Sequence, residues 1–267
     1  MTEKAPLVQT IHTEKFDLEY FTFGQGARSL VILPGLSLHS VMESAAAVAA
    51  AFADFAAAYT VYVPGVRKAV PAGYTLSDLA DDTAAALISL GVQNADVLGC
   101  SMGGIMAQYI AARHPELVRR LVLASTAARP NETSGAVMRA WASLASRQDR
   151  RALNRLIAEK VYSPAFRGRL AAAFALWEDQ GTEAEMRDFA VLAHAVEVAE
   201  PWEELPKISA EALVIGSWDD RVFTANASME IARRLHCPLY LYTGFGHAAY
   251  DEAPDFKKRL LDFFLSA

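Results

Sequence analysis

Only two cysteines, Cys100 and Cys237, occur in the 267 residues. That scarcity excludes a disulfide framework and a cysteine-built zinc cluster. HExxH, paired CxxC and GxGxxG patterns are missing as well, so nothing calls for a metal or an organic cofactor, and none is expected. No stretch reaches the roughly 18–20 apolar residues of a membrane span. AAAVAAAFADFAAAY comes closest, but Asp54 interrupts it and it is mostly alanine. The opening MTEKAPLVQT lacks the basic, apolar, small-residue order of a secretory leader. Positive charge is short too: 25 Lys and Arg stand against 31 Asp and Glu, a net −6, which speaks against a nucleic-acid partner. The expectation is a cytoplasmic protein without membrane insertion, a monomer or homo-oligomer, whose partner is a small molecule.

What is present is a folded chain, 53% hydrophobic and 21% charged, long enough for one sizeable core. Val8–Ile11 and the alternating FDLEYFTFG are strand candidates, followed by a turn at Gly24 and Gly26. The apolar run 30–33 ends at Pro34-Gly35, and YTVYV ends at Pro64-Gly65. Further strands are expected at 95–98, 121–124, 212–215 and 238–242. Helices are expected at 42–57, 75–90, 102–113, 225–235 and 254–265. Thr75 or Ser77 would open the second of these helices and Gly91 close it, with Asp78, Asp81 and Asp82 suiting its positive end. Strands alternating with helices predict a mostly parallel central sheet covered on both faces. From 129 to 206 the rhythm breaks. This segment holds helical patterns and no convincing strand, and it reads as a helical cap inserted within a single domain whose core is 1–128 and 207–267.

The stretch LGCSMGG (98–104) follows an apolar strand and opens a helix. Gly99-Cys100-Ser101-Met102-Gly103 fits G-x-S-x-G, in which the middle residue stands on a sharp strand-to-helix turn. The glycines leave room where a Cβ would collide, and the helix start turns N–H groups toward developing negative charge. Cysteine is the stronger nucleophile in principle, but the glycine frame puts Ser101 at the apex. An apex at Cys100 would need glycine at 98 and 102, which hold Leu98 and Met102. Cys100 is therefore expected to pack. GSWDD places Asp219 and Asp220 after one late strand, and GFGHAAY places His247 after another. Strand ends of this kind are where open α/β sheets gather their sites. The order serine, acid, histidine suits a hydrolytic triad, with either aspartate as the acid.

These three stretches, VLGCSMGG, LVIGSWDD and GFGHAAYDEAPDF, resemble the α/β-hydrolase superfamily in its lidded, esterase-like branch. The resemblance spans about residues 15–265 in motif order. It implies an α/β-hydrolase fold with Ser101 as nucleophile, His247 as base and Asp219 as acid, since Asp219 stands three residues after Gly216. It also implies an oxyanion hole from the backbone N–H groups of Met102 and Leu36. Where the family often has His-Gly, this chain has Pro34-Gly35, so Ser37 and His39 are candidates for an added contact. After YTVYV the chain departs again with PGVRKAVPAGYT, which sets Arg67 and Lys68 near the expected mouth. Trp141, Trp177 and Phe189 are the candidate pocket residues, and Met106, Met138 and Met186 could join them or belong to the core. The function so implied is hydrolysis of a small to medium carboxylic ester with an apolar portion. Thioester, lactone, amide or carbon–carbon bond cleavage would use the same residues, and the alternative of another class is a non-catalytic ligand-binding protein on this fold.

Overall fold

The computed structural model describes residues 6–13, 15–67 and 69–266. Eight strands form one sheet: β1 (Val8–His12), β2 (Asp17–Phe23), β3 (Arg28–Leu33), β4 (Tyr59–Pro64), β5 (Ala95–Cys100), β6 (Val118–Ala124), β7 (Glu211–Ser217) and β8 (Leu239–Tyr242). Their spatial order is β1-β2-β4-β3-β5-β6-β7-β8. β1–β2 and β2–β4 pair antiparallel, and every other neighbouring pair is parallel. The antiparallel pairs lie at the end formed by the alternating FDLEYFTF stretch. The continuous apolar runs occupy the centre, as they must where helices cover both faces.

The helices are α1 (Ala45–Ala51), α2 (Leu76–Ser89), α3 (Met102–Arg113), α4 (Glu132–Ser146), α5 (Arg150–Val161), α6 (Pro164–Arg169), α7 (Ala171–Trp177), α8 (Glu183–Val198), α9 (Thr224–Leu235), α10 (Ala249–Glu252) and α11 (Phe256–Leu265). α2 begins at Thr75, as one of the two expected starts. The Asp78 N–H donates to the Thr75 hydroxyl at 3.1 Å, and the Thr75 N–H donates to the Asp78 carboxylate at 2.9 Å, a reciprocal cap. Gly91, with φ +70°, ends it. The single helix expected over 42–57 is instead a short 3-10 turn at Val41–Ser44, then α1, then a second 3-10 turn at Ala53–Phe55. Tightening the chain there buries Phe55 against Tyr59 before β4 begins.

Between β6 and β7 the described chain forms α4 to α8 and no strand. One core cluster joins α2, α3, α4, α8 and α9 to one face of the sheet, and it contains Met102, Met138, Trp141 and Phe189. The other face is covered by α1 and α11, whose cluster includes Phe55, Phe256, Phe264 and Cys100. Within β5 all six residues are buried, including Asp96. Its carboxylate accepts from the Tyr59 hydroxyl at 2.7 Å and from Arg119 at 2.5 Å. Burial still pushes Asp96 above the ordinary carboxylate range, and burial beside Asp96 lifts the Tyr59 phenol to about 12. No described helix is long and apolar enough to cross a membrane.

Candidate active site

β5 ends at Cys100 and α3 starts at Met102, so Ser101 alone makes the turn. It takes φ +53° and ψ −118°, a region that side chains rarely occupy and that costs roughly 1–3 kcal/mol unless its surroundings enforce it. Here they do. The Ser101 N–H donates to Ala124 O at 2.9 Å, and the Ser101 carbonyl accepts from Gly104 N–H at 2.9 Å and from the Thr126 hydroxyl at 2.8 Å. The glycines are required by close approach. A Cβ on Gly99 would stand 2.6 Å from Gly103 O, and one on Gly103 would run into the carbonyl of Leu33. Gly104, not singled out in the sequence, is equally constrained: its Cβ would lie 2.6 Å from that of Thr126. Only its side-by-side position with Gly103 hinted at this.

The parallel order β5-β6-β7-β8 brings the C-terminal ends of these strands to one edge of the sheet. The loops after β7 and β8 therefore reach Ser101. The Nε2 atom of His247 lies 2.9 Å from Ser101 Oγ, and its Nδ1 lies 2.9 Å from Asp220 Oδ2. His247 and Asp220 are 2% and 6% exposed. The carboxylate that meets His247 is thus Asp220 and not Asp219, the residue expected as the acid. Asp219 points outward, and its carboxylate accepts from the Gly244 N–H at 2.7 Å, bracing the loop that leads to the histidine. The second oxygen of Asp220 accepts from the N–H groups of Val222 at 2.7 Å and Phe223 at 3.0 Å. Burial pushes the Asp220 carboxyl up. The charge and hydrogen bond of His247, with the two backbone donors, outweigh it and hold the group below the ordinary range. An ionised Asp220 can only accept, so His247 donates from Nδ1 and leaves Nε2 to accept the Ser101 hydroxyl.

Ser217, also missed in the sequence, couples the two loops. Its hydroxyl donates to Phe245 O at 2.6 Å and accepts from Asp219 N–H at 3.2 Å. The rings of Phe223 and Tyr250 flank His247, with centroids 5.6 and 6.2 Å away. Cys100 is buried behind the turn, and burial raises its thiol well above the ordinary range, which suppresses thiolate. Gly35 faces Ser101, whose Cβ would be 3.2 Å from a Cβ at 35. That places the Pro34-Gly35-Leu36 loop beside the turn. Met102, as the first residue of α3, has an N–H with no acceptor inside the helix.

Trp141 and Phe189 meet each other between α4 and α8, with centroids 6.3 Å apart, and both are buried. The indole N–H of Trp141 finds no partner among the described residues. Trp177 is set apart from them. It is 45% exposed at the end of α7 and packs edge-on against Phe174. Met106, Met138 and Met186 are all core residues. Arg67 does not stand free at a mouth: it pairs with Asp82 at 3.3 Å and lies over the rings of Phe16 and Tyr74. Lys68 lies outside the described residues. The Ser37 hydroxyl accepts from His39 N–H at 3.3 Å. His39 Nδ1 lies 3.5 Å from Glu185 at the start of α8 and 4.0 Å from Glu43. These three side chains bring ligand atoms within 4.8 Å of one another, but one oxygen of Glu185 already caps α8 through Thr182.

A serine on a strained strand-to-helix turn, met by a histidine and an acid from the next strand ends, is an arrangement of hydrolases. The chain belongs to the alpha/beta hydrolase fold family, whose profile matches residues 29–254. Among curated relatives, it is 29% identical to a 2-hydroxymuconate semialdehyde hydrolase of Pseudomonas putida over 196 residues, 67% of this chain and 65% of that protein. It is 26% identical to a 3-oxoadipate enol-lactonase of Acinetobacter baylyi over 217 residues, 80% of each. Among solved structures, an alpha/beta hydrolase enzyme from a Medee basin deep-sea metagenome library superposes with a TM-score of 0.85. It is 20% identical, and the match covers 97% of this chain and 98% of that one. The enol-lactonase of Burkholderia xenovorans gives 0.80 at 22% identity, covering 97% and 100%.

Proposed function

We propose that the protein is a serine hydrolase that cleaves a small to medium carboxylic ester through an acyl-enzyme. The observation that carries this reading is the unbroken chain of two 2.9 Å contacts from Ser101 Oγ through His247 to Asp220. Ser101 Oγ attacks the ester carbonyl as its proton passes to His247 Nε2. The backbone N–H groups of Met102 and Leu36 receive the negative oxygen. His247 then gives the proton to the departing alkoxide, and the C–O bond breaks. Water next attacks the acyl-enzyme, loses a proton to His247, and the proton returns to Ser101 as the acid departs. Asp220, ionised and buried, holds the imidazole orientation and steadies its cationic form.

The segment 129–206 serves in this reading as the cap that selects the substrate. An apolar portion of the substrate is expected from the apolar side chains of this segment, although Trp141 and Phe189 themselves are packed in the core. The similarity to an enol-lactonase over 80% of both chains makes an activated cyclic ester the natural second substrate to try.

The test is labelling with a fluorophosphonate, followed by turnover of p-nitrophenyl esters of graded acyl length, simple thioesters and an enol-lactone. Stoichiometric labelling that is lost in S101A, with ester turnover, is expected. A folded protein that neither labels nor turns over any of these substrates sinks the reading and leaves the ligand-binding alternative.

A further inference from the structure

The carbonyl groups that end a helix have no partner inside it, and the last ones of α5 are met by the two loops that carry the acid and the histidine. The Glu159 and Tyr162 carbonyls accept from Arg221 at 2.7 and 3.3 Å, one residue after Asp220. The Val161 carbonyl accepts from Ala248 N–H at 2.9 Å, one residue after His247. On the other side of His247, Gly246 presses so closely on this joint that a Cβ would stand 2.6 Å from Val161 O and 2.9 Å from Ser163 N. Glu252 closes the clamp. It is 6% exposed, and its Oε1 accepts from Ser163 N–H at 2.9 Å and Gly246 N–H at 3.2 Å. Its Oε2 accepts the Ser163 hydroxyl. A buried carboxylate with three donors aimed at it is a fixed part, since removing it would leave those donors unmet.

We infer that Glu252 is a positioning residue that locks the α5–α6 joint, residues 161–163, to the backbone just before His247, complementing the Val161–Ala248 bond just after it, so that the placement of this joint sets the Ser101–His247 geometry. The inference rests on the serine-hydrolase reading. It makes the segment between β6 and β7 part of the reacting machinery as well as of the proposed cap. Its action is geometric: the two backbone donors share Oε1, so an amide oxygen there would serve as well as a carboxylate. Misplacement of a reacting group by about 1 Å is enough to lower a rate by about 100-fold.

The experiment measures the rate of Ser101 labelling by a fluorophosphonate, with kcat and KM for p-nitrophenyl butyrate, in the wild-type protein, E252Q, E252A and G246A, each checked for folding by thermal melting. E252A is expected to label about 10- to 100-fold more slowly, with the loss in kcat and KM within about twofold. E252Q is expected to recover most of that rate, with the pH profile of kcat/KM unshifted. G246A forces the joint and the histidine loop apart without touching Glu252, and should slow labelling likewise. A folded E252A with wild-type labelling overturns the inference, as does a folded E252Q as slow as E252A. Where E252A does not fold, wild-type labelling by folded G246A overturns it. Failure of the wild-type protein itself to label removes the serine-hydrolase reading, and this inference with it.

Discussion

Asp220 Oδ2 stands 2.9 Å from His247 Nδ1, while both oxygens of that carboxylate are enclosed by the histidine and by the N–H groups of Val222 and Phe223. Asp219, its neighbour in the chain, faces outward and binds Gly244 N–H. The two aspartates therefore separate cleanly in a kinetic test. D220N replaces an acceptor by a group that can present a donor to Nδ1. It favours the wrong histidine tautomer, and kcat for ester hydrolysis should fall about 10³- to 10⁴-fold. D219N should cost about 1 kcal/mol of loop support and leave most activity. The reverse ranking, measured on folded proteins, would return the acid role to Asp219.

The same environment predicts how stability responds to acid. The folded Asp220 lies below its unfolded value, so its contribution is complete above an unfolded pKa of about 3.9. It is lost as pH falls through that value toward the folded one. The stability gap between the wild-type protein and D220N, read from urea unfolding at a series of pH values, should be constant above about pH 5 and shrink below it. A gap that widens on acidification would mean that Asp220 is raised in the folded state.

Ser101 and Cys100 are adjacent, yet they face different surroundings. Ser101 Oγ meets His247, and Cys100 belongs to the core cluster on the face of the sheet covered by α1 and α11. Iodoacetamide at neutral pH should leave activity intact, because a buried, raised thiol holds almost no thiolate. C100A should retain the fluorophosphonate labelling rate and lose a modest amount of stability, about 1 kcal/mol. S101A should abolish labelling. Inactivation by iodoacetamide with modification mapped to Cys100 would contradict this division.

The strand-to-helix turn at Ser101, the alternation of strands and helices around it and the place of His247 after a strand were legible because each rests on local rules. A buried parallel strand reads as an apolar run, and a strained turn demands its glycines. Which aspartate meets His247 was not legible to one residue. Asp219 and Asp220 share composition and flanks, and only the twist of the loop after Ser217 decides which carboxylate turns inward. Ser217, at the foot of that loop, bonds Phe245 O, 28 residues away, a partner that no local pattern reveals. Glu252 was invisible for a similar reason, since its partners Ser163 and Gly246 come from separate parts of the chain. Trp177 was expected in a pocket on residue type alone, and type does not tell which side of a short helix faces in.

The paired glycines after Ser101 should fail in different ways when given a side chain. A Cβ at Gly103 meets the backbone of Leu33 and Pro34, and backbone in the centre of a sheet cannot yield. G103A should therefore be severely destabilised, beyond the roughly 1–3 kcal/mol usual for overpacking, or should not fold. A Cβ at Gly104 meets the side chain of Thr126, 2.6 Å away. That collision can be removed by a second change. G104A alone should cost about 1–3 kcal/mol, and G104A combined with T126G should cost less than the sum of the two single variants, with a coupling of about 0.5–3 kcal/mol. Thr126 also donates to Ser101 O, so T126G by itself should loosen the turn and lower kcat. Additive costs in denaturant unfolding would show that the two residues do not meet as described, and a G103A protein of wild-type stability would remove the steric account of the elbow altogether.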